Sequence, residues 1–131
     1  MLVEAPISLG ELVDKITILE IKRVNISDSD KRRNVEHELD ILSAKVEQLL
    51  DPEATSKLKP LKAVLKSINE ILWDIEDRIR DCEREGDFGK RFVDLARSVY
   101  VTNDKRAATK KEINLAFGSE LIEEKSYRDY H

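Results

Sequence analysis

Four carboxylates, Glu70, Asp74, Asp77 and Asp81, recur at spacings of 4, 3 and 4. That interval stacks side chains on one helical flank. Such a column is able to hold a divalent cation, because magnesium needs only one or two carboxylates and completes its shell with substrate phosphates. The chemistry would be magnesium-dependent nucleotide pyrophosphohydrolysis, with Asp74 and Asp77 as the metal pair. Against it, Arg78 and Arg80 lie within a turn and no second helix offers a matching acidic pair. A solvated charged flank accounts for the column, so we expect no metal and no cofactor. The second group is basic: Lys105, Arg106, Lys110 and Lys111, within which Arg106, Lys110 and Asn114 form an i, i+4, i+8 row. Arg supplies a planar fork and Lys a point charge for phosphate or carboxylate, and Asn103 and Asp104 would orient a ligand hydroxyl. The competing expectation is that this row pairs with Glu123 and Glu124 and clamps the end of the chain.

Other candidates carry less. Lys22, Arg23, Lys31, Arg32 and Arg33 bracket one turn, but Asp28 and Asp30 sit among them. Asp87-Phe88-Gly89 spells a kinase metal-binding tripeptide without the phosphate loop or catalytic loop that gives it meaning. His37 and His131 have no partner at zinc-ligand spacing. No Ser or Cys stands beside a plausible base. Trp73 reads as a core rim residue in acidic surroundings.

Composition narrows the classes further. The 131 residues carry 38% charged side chains but only four Gly and three Pro, too few for the turns of a sandwich, barrel or Rossmann domain. With a net charge of -4 the chain repels phosphate backbones in general, so no nucleic-acid partner is expected. The lone Cys82 cannot close an internal disulfide, which suits a reducing cytoplasm. No run approaches the roughly 20 apolar residues of a membrane span, and Glu4 stands where a secretion signal would be basic. The expectation is an untargeted cytoplasmic protein.

The elements that must position these groups are helical. After a short extended arm over residues 1–7, Ser8 and Glu11 form a capping box for a helix running to about Val24. Val35, Leu39, Leu42, Val46 and Leu49 mark a second helix ending near Leu50, and Asp51-Pro52 breaks it. A polar connection leads to Pro60 at the start of the third helix, whose seam is Leu61, Leu65, Ile68, Leu72, Ile75, Ile79 and Cys82. Gly86 stops it. Phe92 to Tyr100 make a short fourth helix, and Asn103 or Asp104 caps a fifth ending at Phe117-Gly118. The spacing predicts an all-α bundle, a single helical domain over residues 1–131. It is built around an antiparallel αα-hairpin of the second and third helices, with the first packed on their seam.

The segments Ser8-Leu-Gly-Glu-Leu-Val-Asp-Lys-Ile-Thr-Ile-Leu-Glu-Ile-Lys22, Ile71-Leu-Trp-Asp-Ile-Glu-Asp-Arg-Ile-Arg80, Val101-Thr-Asn-Asp-Lys-Arg-Ala107 and Glu123-Glu-Lys-Ser-Tyr127 resemble a small bacterial family of unknown function. Its relatives sometimes occur near or fused to glycosyltransferase and surface-polysaccharide proteins. The resemblance implies an accessory role and brings no catalytic residues. It directs attention to polar residues that a helical core does not require: Glu11, Asp14, Lys15 and Thr17, then Asn103, Asp104 and Arg106, then Lys125 to Tyr127. With Lys110 they are expected to converge, the tail folding back over the first helix, as a buried polar network or a shallow ligand site. The leading functional reading is a non-enzymatic helical interaction or accessory module, with a homodimer or another protein as the partners to expect, and the alternative is a binder or enzyme for an anionic metabolite such as a sugar nucleotide.

Overall fold

The computed structural model describes residues 1–131 and contains four helices and no strand: α1 (Leu9–Asn25), α2 (Ser29–Leu49), α3 (Pro52–Glu85) and α4 (Lys90–Ala116). Residues 1–8 precede α1 outside any helix. The starts obey local chemistry. Ser8 Oγ accepts from the Glu11 N–H, an Asp28 carboxylate oxygen from Lys31 and an Asp51 carboxylate oxygen from Ala54, each satisfying a donor the helix cannot. Gly86, at φ 69°, ends α3 in the left-handed conformation, and the Asp87 N–H reaches back to the Cys82 carbonyl at 2.9 Å.

Two boundaries differ from the sequence reading. Residues 51–59 are not a connection: α3 begins at Pro52, and Pro60 lies inside it. Proline there leaves the Ser56 carbonyl without its helical donor, a cost of roughly 3 kcal/mol or more. Ser56 and Pro60 are exposed, so water can bond that carbonyl, and continuing the helix buries Leu58 beside Val13, Leu65 and Ile113. Full burial of a leucine returns about 1.5–3 kcal/mol, and the Asp51 cap and Pro52 in the first turn add to it. The predicted fourth and fifth helices are likewise one helix, α4. Thr102 and Asn103 are weak helix formers by roughly 0.5 kcal/mol each, but Thr102 is buried, and its packing outweighs the local preference for a cap.

The bundle's antiparallel hairpins are α1–α2 and α3–α4, and the predicted packing of α2 along the α3 seam is corrected. The α2 seam faces α1, where Leu12, Ile16 and Leu19 meet Val35 and Leu39 with Leu42 and Val46 at the edge. Only the end of α2, Val46 and Leu50, reaches the cluster holding Leu58 and Leu65. A seam of alternating 3 and 4 spacings states that a helix needs a partner without stating which. Helix α3 pairs instead with α4, closed by Gly86–Gly89, and α1 crosses that hairpin. Gly10 lies on α4 at Asn114, Asp14 sits between Asn69 and Arg106, and Glu20 reaches Lys62 and Lys66 of α3. The crossing brings the polar residues of α1 and α4 together.

Candidate functional site

Gly10 sets how closely α1 approaches α4. Its N–H donates to Asn114 Oδ1 at 2.6 Å, and a Cβ on it would fall 2.5 Å from the Lys110 carbonyl oxygen. One turn further, Asp14 is 1% exposed and forms the centre of the site. One carboxylate oxygen accepts from Arg106 Nε and from Asn69 Nδ2, both at 2.9 Å, and the other takes Arg106 Nη2, a bidentate fork. Asn69 also donates to Thr17 Oγ1 at 2.9 Å, whose hydroxyl donates to the Asp14 backbone carbonyl. Lys110, its side chain 10% exposed, gives Nζ to Glu11 at 2.6 Å and to Glu123 at 3.2 Å, and lies 3.9 Å from Asp14. Every buried side-chain nitrogen and oxygen in the chain has a hydrogen-bond partner.

The electrostatics follow the geometry. Burial alone would raise the Asp14 carboxyl, but the bonds from Arg106 and Asn69 and the charges of Arg106 and Lys110 hold it below the usual aspartate range. Burial works against the charged form of Lys110 too, and Glu11, Asp14 and Glu123 more than reverse it, so its ammonium holds its proton above the usual lysine range. The bond it donates to Asp14 raises Arg106 in the same sense, and Lys110 lowers Glu123.

Glu11, Asp14, Arg106 and Lys110 therefore converge, and Thr17 joins them. Lys15 does not: it is exposed and makes no ion pair. The pairing of the basic row with the tail is present, Lys110 with Glu123 and Lys111 with Glu124 at 3.2 Å each. The tail runs back along α4, and its hydrogen bond to α1 is the one that Ser119 Oγ accepts from the Leu9 N–H at 3.3 Å. Lys125 is paired with Glu123 at 3.2 Å and stands 5.9 Å from the centre of the Tyr127 ring. Between tail and α4 lies a cavity of about 750 Å³ bordered by Asn103, Asp104, Arg106, Lys110, Lys125 and Tyr127. Tyr100, Arg128, Asp129 and Tyr130 complete its charged and aromatic wall. A second cavity of about 490 Å³ opens over α3 beside Trp73, Glu76, Asp77 and Arg80, and Asn103 and Arg106 border this one too.

The acidic column is otherwise disposed. Asp74 is exposed and paired with Arg78 at 3.1 Å, Asp81 with Arg84, and Asp77 borders the second cavity. No group of three or more His, Cys, Asp or Glu side chains is placed to hold a metal ion. No helix is long and apolar enough to cross a membrane. Asn69 is the residue that sequence reasoning missed. Its signal was present, since Leu65, Asn69 and Leu72 are spaced 4 and 3. An amide on the apolar face of a helix signals a polar partner across the interface.

Residues 1–130 match a family of unknown function, DUF6165, and the chain belongs to that family. Comparison with curated proteins gave no match, and comparison with solved structures gave none either.

Proposed function

We propose that this family member is a non-enzymatic accessory or interaction module, acting as one helical domain. The observation that carries the reading is the closed network at its centre, Asp14 held by Arg106 and Asn69 and Lys110 by Glu11 and Glu123. A general acid or base works best with a pKa near the operating pH. Here Asp14 is pushed down and Lys110 up, each away from neutrality, and both are spent on partners inside the chain. Such a network fixes the crossing of α1 over the α3–α4 hairpin. The resemblance to relatives near glycosyltransferase and surface-polysaccharide proteins supports a place beside bacterial cell-surface polysaccharide synthesis, in the cytoplasm. Val64 and Ile71, seven residues apart on α3 and exposed, offer apolar surface to a second copy or another helix.

The test is product formation from nucleoside triphosphates and sugar nucleotides with magnesium. The expected result is no turnover above the buffer rate. Hydrolysis that Asp77→Asn abolishes would overturn the reading in favour of pyrophosphohydrolase chemistry. A second reading, favoured by the cavity between α4 and the tail, is that the module holds an anionic metabolite such as a sugar nucleotide. Four cations border that cavity, Arg106, Lys110, Lys125 and Arg128, against two carboxylates, Asp104 and Asp129.

A further inference from the structure

The tail is fastened at both ends and lightly held between them. Gly118, at φ 62°, turns the chain back, and the Ser119 N–H donates to the Asn114 carbonyl at 2.8 Å. At the far end Tyr130 stands edge-on to Tyr100, ring centres 5.2 Å apart, with its hydroxyl against Asp104, which pushes the phenol up from its ordinary pKa. Between these points the acidic residues form the clasp. Glu123 places one carboxylate 3.2 Å from both Lys110 and Lys125, and Glu124 sits 3.2 Å from Lys111.

Resting on the second reading above, we propose that the cavity under the tail takes a nucleoside diphosphate. In this proposal Glu123, which bridges Lys110 and Lys125 of the cavity wall, is the chain's own stand-in for a phosphate and is displaced when the ligand binds, with Glu124 on Lys111 holding the same stretch of tail beside the cavity. A single carboxylate between two ammonium groups occupies the place of a phosphate, which brings more charge and more acceptor oxygens to the same donors. Releasing the clasp returns two exposed carboxylates to water, the Glu123 and Glu124 side chains being 45% and 70% exposed, and the exposed Lys111–Glu124 pair holds weakly. Lys110 keeps its orientation meanwhile through Glu11 at 2.6 Å. Arg128, in the same wall, has no carboxylate partner and is free for a second phosphate. The aromatic side chains account for the ring: Tyr100 and Tyr127 border the cavity beside the cations, and Tyr130 stacks on His131 at its far end, ring centres 4.5 Å apart. A volume of about 750 Å³ lies within the range of small-molecule pockets.

Isothermal titration of the full chain with inorganic pyrophosphate and with ADP tests this. Wild type is expected to bind ADP more tightly than pyrophosphate, the ring adding to the phosphates. The E123Q/E124Q variant should bind both about fivefold more tightly, the weight of one exposed ion pair removed from competition. Lys125→Ala with Arg128→Ala should weaken both about tenfold while the helical melting curve stays unchanged. Absence of binding in wild type and variant alike overturns the site and leaves the accessory-module reading standing. Equal or weaker binding by E123Q/E124Q overturns the displacement, and equal affinity for the two probes overturns the nucleoside. Hydrolysis of ADP would overturn the non-enzymatic reading without touching the site.

Discussion

Replacing Arg106 with Ala removes the guanidinium that grips both oxygens of Asp14 and leaves the carboxylate 1% exposed among α1, α3 and α4. Breaking a buried ion pair by deleting one partner costs about 3–5 kcal/mol, chiefly from the charge left behind. Asn69 still donates at 2.9 Å and Lys110 still stands 3.9 Å away, which places the loss at the lower end, about 3 kcal/mol. For a domain of this size that lowers the melting temperature by roughly 10 °C. The sharper expectation concerns the second mutation. Asp14→Asn keeps the shape and the Asn69 bond but removes the charge, so Arg106→Ala with Asp14→Asn should be more stable than Arg106→Ala alone. The two single losses should exceed the double loss by about 2–3 kcal/mol. Urea unfolding followed by circular dichroism measures all four corners of the cycle. Additive losses, or an Arg106→Ala variant within about 0.5 kcal/mol of wild type, would refute the account of the network.

Other consequences are independent. Gly10→Ala should cost about 1–3 kcal/mol by overpacking α1 against the Lys110 backbone, despite the better helix propensity of alanine, and a thermal melt reads it. Acid should weaken the fold in a defined window. Because the folded-state pKa of Asp14 lies below the unfolded value of about 3.9, its contribution is complete above that pH and fades as pH falls through the folded value. Asp14→Asn should flatten that limb of the stability curve. Asp74→Asn removes only an exposed pair with Arg78 and should change stability by less than about 0.5 kcal/mol, with the same urea titration as the check.

How much of this was legible in the sequence depended on the range of the interaction responsible. Local chemistry announced itself: Ser8 and Glu11 marked a cap, Gly86 marked a stop, and the seams of α2 and α3 marked helices. What failed was competition between local and tertiary preference. Pro60 reads as a helix start and Asn103 or Asp104 as a cap, and burial of Leu58 and Thr102 overrides both signals. The partner of each seam was not legible either, because Val35 and Leu39 fit any apolar groove of matching pitch, and the groove they find belongs to α1. For the site, the basic row and the acids of the tail had complementary charge and close spacing, and they do pair. Asp14 and Arg106 are 92 positions apart, and it was the family resemblance of their segments, with the polar residues in them, that joined the two, not any spacing. Lys15 shared that segment but faces outward, one residue around the helix from the carboxylate that matters.

Asp14 is an anchor whose carboxylate Arg106 and Asn69 hold in the ionised form, and carbon-detected NMR of its carboxyl during an acid titration tests this directly. The account predicts a midpoint below the ordinary aspartate range of about 3.9, rising when Arg106 is replaced by Ala. A midpoint in wild type at or above that value, toward neutrality, would contradict it.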